Sequence, residues 1–167
     1  MKRIAIVFAI ALASAGIGAA QTKVGIVNMQ RAIAQTAEIK KAIVDVTTRY
    51  KPRQAEIEKL QADLATLQQQ IGSGKLSPGA EQQARSEGQF KERQLQRKDQ
   101  DLRDDVDRDR QDIVNHAAQR MQQVIQKIAD DRGLDVVVDS ANTVFFKAGL
   151  DITDVVVAAY DQAYPVK

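Results

Sequence analysis

The residues best equipped for chemistry crowd into one stretch, where Asp99, Asp101, Asp104 and Asp105 alternate with Lys98, Arg103, Arg108 and Arg110, ahead of the single histidine, His116. Carboxylates at this density could take up calcium, but a calcium loop wraps its ligands around a glycine turn, and these sit in a helical stretch without one. They could also act as general acids and bases, which requires an enclosed, desolvated pocket to shift their pKa values, and nothing in the pattern predicts one. His116 has neither a second histidine nor any cysteine to share a zinc ion with, so it reads as a polar residue on a helix face. No phosphate-binding glycine loop is present. From Asp99 to Asp112 the run reads as a solvated helix face, with opposite charges three and four residues apart and any long-range steering screened by salt. The expectation is a protein that is not an enzyme and uses no cofactor or metal.

The elements around this stretch are long helices. Ile39, Ile43, Val46, Tyr50, Arg53, Ile57, Leu60, Leu64, Leu67 and Ile71 follow one another in alternating steps of four and three, and Arg53 alone breaks the apolar series. A 3.5-residue repeat kept over that distance predicts a coiled coil. A helix from Gln30 to Ile71 would be roughly 60 Å long. Pro52 removes an amide donor and crowds the preceding turn, which predicts a kink or break near Tyr50–Pro52. Turn-formers from Gly72 to Gly79 place a hairpin tip at 72–80. A second helix is expected from Ala80 or Glu81 to Arg132, with Gly133 as a left-handed end. Its distal half is sparse in apolar residues, with Ala84, Phe90, Leu95, Leu102 and Val106, whereas Ile113, Ala117, Met121, Val124 and Ile128 form a dense stripe.

Short strands flank the hairpin. Lys23–Asn28 reads as a strand whose Asn28 caps the first helix. Leu134–Asp139 and Thr143–Lys147, joined by Ser140–Asn142, read as a β-hairpin. Asp151, Thr153 and Asp154 offer capping oxygens before a terminal helix from Val155 to about Ala163. The fold class is therefore α+β: a small β core, a long helical coiled-coil hairpin projecting from it, and a C-terminal helix. So small a sheet seldom stands alone, and without cysteine no disulfide can reinforce it. Assembly between subunits is the expected answer, with Val24, Ile26, Val136, Val138, Val144 and Phe146 in the shared core. The β-containing body is placed at 21–50 and 113–167, and the arm at 51–112.

The beginning of the chain carries Lys2 and Arg3, then an apolar run from Ile4 to Ile17 that is too short to span a bilayer, then Gly18 and Ala20 at the positions a signal peptidase reads. Residues 1–20 are expected to be a signal peptide cleaved after Ala20, so the mature chain is exported. Removing Lys2 and Arg3 takes 24 basic against 22 acidic residues to 22 against 22. A neutral mature chain argues against nucleic acid, which needs a concentrated basic face.

The opening Lys23-Val24-Gly25-Ile26-Val27-Asn28 with Met29 to Ile33, and the closing Gly133–Asp139, Val144-Phe145-Phe146 and Asp151-Ile152-Thr153 followed by Val155, resemble the Skp (OmpH-like) family of periplasmic outer-membrane protein chaperones. Asn28 stands where an aspartate is common, and the arm matches in pattern only. The resemblance covers about residues 22–163. It implies a homotrimer with an intersubunit β barrel, a trimerisation role for the body, and a periplasmic location. It also implies an activity: holding unfolded outer-membrane β-barrel proteins between the arms, without ATP, so that they do not aggregate in transit. Family members are basic and turn basic arms toward lipopolysaccharide, phospholipid and acidic clients. Arg53–Asp112 holds 11 basic against 13 acidic residues, so no lipid or lipopolysaccharide site is carried over.

On this reading Leu76 at the tip and Phe90, Leu95, Leu102 and Val106 on the return helix are the candidate client contacts. The weakly packed return arm would let the hairpins splay to suit client size. The same residues could instead merely complete the hairpin seam. A different function class also fits, a structural coiled-coil adaptor whose hairpins bridge folded envelope proteins.

Overall fold

The computed structural model describes residues 22–166, and the expected signal peptide lies outside them. Strand β1 (Val24–Val27) leads into helix α1 (Met29–Gln35), and α2 (Ala37–Gly72) runs out to a tip from which α3 (Pro78–Arg132) returns. Strand β2 (Val136–Asp139), two short 3₁₀ turns and helix α4 (Thr153–Ala163) follow. At about 1.5 Å per residue, α3 is roughly 83 Å long.

The helix ends follow from local chemistry. The Asn28 side chain accepts from the Arg31 amide at 2.8 Å and starts α1. Thr36 then interrupts the single outgoing helix that was expected, because its hydroxyl accepts from Ile39 N to cap α2 while donating to Ile33 O. A second oxygen, Asp161 Oδ1, takes the Ala37 amide at 2.9 Å. By contrast, α2 continues through Pro52, so the break predicted at Tyr50–Pro52 is replaced by the one at Thr36. Ion pairs to α3 brace the helix on both sides of the proline, from Arg49 to Asp109 at 2.7 Å and from Arg53 to Asp105 at 2.6 Å. The return helix starts earlier than Ala80, since Ser77 caps it and Pro78 takes the first-turn position where its missing N–H costs nothing. Gly133 closes it at φ 60°.

The sheet also departs from expectation. β2 does not form a hairpin with 143–147; it pairs in parallel with β1, Val24 opposite Val136 and Val27 opposite Asp139. The whole helical hairpin is thus the crossover that a parallel pair requires. A tight β-hairpin turn calls for positive φ, and none of Ser140, Ala141 and Asn142 supplies it. Asp139 instead accepts from Ala141 N, and Thr143 N returns to Ser140 O, closing a 3₁₀ turn that leads the chain away. Within β1, Gly25 is packed so closely that a β-carbon would stand 2.9 Å from Leu134 Cδ1 and 3.1 Å from Ile152 Cδ1.

One apolar cluster sits where the hairpin meets the sheet and α4. It draws Val27 from β1, Ala32 and Ile39 from the outgoing helices, Met121 and Ile128 from α3, and Tyr160 from α4. Farther out, of the seam positions on α2 only Val46, Ile57 and Leu64 are buried, and Ile43 is 60% exposed.

Candidate functional site

The base of the hairpin is closed by a polar clasp. Glu38 on α2 accepts from Tyr160 OH at 2.5 Å and from Arg120 at 2.8 Å, and His116 Nδ1 lies 3.8 Å away. Arg120 also lies over the Tyr164 ring, 4.6 Å from its centre. Burial works against the Glu38 carboxylate, but the Tyr160 hydroxyl and the Arg120 guanidinium outweigh it and hold its carboxyl below the usual value. Burial, reinforced by Glu38, pushes the Tyr160 phenol up. The arrangement ties α4 to both helices of the hairpin. Sequence reasoning missed it, because Glu38, Arg120 and Tyr160 come from three helices with no local motif to link them.

Beside the sheet, the chain from Thr143 to Lys147 runs without a pairing partner among the described residues. Val144 is fully exposed and Phe145 is 81% exposed. A groove of about 690 Å³ opens there, with Val24, Ile26, Val138, Phe145 and Phe146 among its lining residues. Of the six predicted core residues, Ile26 is buried within one chain, Val24, Val138 and Phe146 are half-buried, and Val136 and Val144 are exposed. Phe145, more exposed than Phe146, was not among the predicted core residues.

Along the arm, the predicted contact residues do not converge on one site. Leu76 is half-buried at the tip, Phe90 is 55% exposed, Leu95 and Val106 are half-buried, and Leu102 is buried in the seam. Leu102 and Val106 share a hollow beside Tyr50, and the others lie apart. The Asp99–Asp112 run is helical throughout, and three of its aspartates pair with arginines: Asp99 with Arg103, Asp105 with Arg53 and Arg108, and Asp109 with Arg49. Among the described residues no three His, Asp or Glu side chains gather as metal ligands, and no helix is long and apolar enough to cross a membrane.

A two-stranded parallel sheet spliced by a long helical hairpin defines the architecture, and comparison with known proteins gives it a family. The profile of the family described as outer membrane protein (OmpH-like) matches residues 23–160, and the chain belongs to that family. It is 28% identical over 156 residues to the chaperone protein Skp of Salmonella typhimurium, covering 93% of this chain and 94% of that one. A Skp-like protein of Pseudomonas aeruginosa is 23% identical over 145 residues, 86% of either chain. Among solved structures, a crystal structure of an OmpH-like outer membrane chaperone from Caulobacter crescentus shares the fold with a TM-score of 0.74 at 23% identity, covering 90% of each chain.

Proposed function

We propose that the chain is a non-enzymatic, ATP-independent holding chaperone of the periplasm, exported by cleavage after Ala20. It encloses unfolded outer-membrane β-barrel proteins between the arms of a homotrimer and keeps them from aggregating in transit. Residues 21–50 and 113–167 form the trimerisation body, and 51–112 form the arm.

The observation that carries this reading is the unfinished β edge of the body. An unpaired edge and exposed apolar side chains are a template for pairing with another chain, and Val144 and Phe145 stand in solvent beside the groove lined by Val24 and Ile26. Assembly through that edge would bring several long hairpins side by side around a common space. The Skp relatives, matched over nearly their full length, support the same use.

Light scattering on residues 21–167 tests both parts, alone and after mixing with an outer-membrane β-barrel protein diluted from urea. The expected result is a mass three times that of the mature chain and a soluble complex with the client. A monomer or dimer that leaves the client to aggregate, or a chain that binds one folded partner at fixed stoichiometry, overturns the proposal in favour of an adaptor.

A further inference from the structure

We infer that the groove along one side of the hairpin, from Ile39 to Gln54 on α2 and from Leu102 to Val114 on α3, is a docking track for an extended apolar polypeptide segment bearing carboxylates. The inference rests on the chaperone reading and deepens it by naming where along the hairpin, at the junction of body and arm, a client would lie and what chemistry it would present.

Hollows of about 270 and 440 Å³ adjoin here, sharing Val46, Thr47 and Arg110 as walls, so they form one continuous channel. Its floor is apolar, with Ile39, Val46 and Leu102 buried in the hairpin. Ile43, at 60% exposure, and Val114, at 42%, rise from its sides into solvent. Between Ile39 and Gln54 the channel is about 22 Å long at the helical rise, which accommodates roughly six or seven residues of extended chain.

Charge selects among possible occupants. The arm as a whole carries more acidic than basic residues, yet the charged residues that line the channel are Lys51 and Arg110, with no carboxylate among them. Neighbouring arginines are engaged: Arg49 pairs with Asp109, Arg53 with Asp105, and Arg108 with Asp105. Lys51 and Arg110 take part in no ion pair among the described residues, so they are available to an incoming anion. A second copy meeting the channel with its own same face would set cation against cation. An unfolded segment of alternating apolar and acidic residues satisfies both floor and rim.

The test uses the mature chain and two fluorescent ten-residue peptides of identical alternating apolar pattern, one with Asp and Glu at the polar positions and one with Lys. Anisotropy at low salt should show the acidic peptide binding about fivefold or more tightly, in line with one or two exposed ion pairs. Arg110→Glu combined with Lys51→Glu should reverse that order. Val114→Asp, at a position already partly in solvent, should weaken the acidic peptide with helicity and assembly mass unchanged. Equal affinity for the two peptides, or indifference to the charge reversal, overturns the inference. So does a change of assembly mass in Val114→Asp, which would assign the groove to contact between copies. If the parent protein holds an unfolded β-barrel protein and the groove variants hold it equally well, the track fails and the chaperone reading stands. If the parent holds none while peptide preference and its reversal are both seen, the track stands and the chaperone reading fails.

Discussion

At its base, α3 buries Ala117, Met121, Val124 and Ile128 in one unbroken stripe, whereas between Val114 and the tip the same helix buries only Leu102 and Ala84. The lost apolar contacts are replaced by ion pairs across the hairpin: Arg49 with Asp109, Arg53 with Asp105, Glu56 with Lys98, and Asp63 with Lys91. Exposed pairs contribute little to stability, but these four link α2 to α3 along the stretch where buried apolar contacts are few. The base is therefore held by packing, and the arm is bridged by charge.

Truncation tests the comparison most severely. Met121 is fully buried, and Met121→Ala should cost about 2–5 kcal/mol, measured as a fall in urea midpoint. Phe90→Ala, on an exposed arm position, should stay within about 0.5 kcal/mol. A large loss at Phe90 would show that packing also governs the arm.

The clasp at Glu38 gives an intermediate effect with a pH signature. A carboxyl held low in the folded state contributes stability that is present above its unfolded value and lost as pH falls through the folded one. Glu38→Gln should therefore lower the urea midpoint at pH 7, and the gap from the parent should close as pH drops below about 4.5, the ordinary value of the group. A gap that persists into acid would assign the loss to packing instead.

The smallest effect is expected in the polar layer of the arm. Replacing Arg53 and Asp105 together by leucine would let the seam continue as apolar contact between α2 and α3. The midpoint should rise slightly and become less sensitive to added salt, as followed by circular dichroism from low to high ionic strength. Unchanged salt sensitivity would show that this pair plays no part in holding the arm.

The long helices were legible because periodicity is a local signal: the steps from Ile39 to Ile71 and the glycine at 133 both mark what the structure contains. The errors arose where a local preference met a distant partner. Pro52 disfavours helix, yet α2 continues across it with ion pairs to α3 on either side, while Thr36, unremarkable in sequence, ends α1 because Asp161 of α4 supplies an oxygen to the next helix. Strand β2 was legible and its partner was not, since pairing with β1 requires the hairpin to bring Lys23 and Asp135 together across 112 positions. In the candidate surfaces, Leu102 and Val106 were visible as apolar positions, but the channel they share with Ile43 and Val114 exists only once α2 and α3 lie antiparallel.

That separation poses a problem for folding. β1 is the first described element to be made, yet its hydrogen-bonding partner is synthesised only after the helical residues between them. A free chain of that length would meet a substantial loop-closure cost before any sheet contact rewarded it. The tip changes the problem, because α2 and α3 can zip from Ser73–Ser77 downward through neighbours already close in sequence. By the time they reach the body, the two strands have been delivered side by side, and a pairing across 112 positions has become a local step.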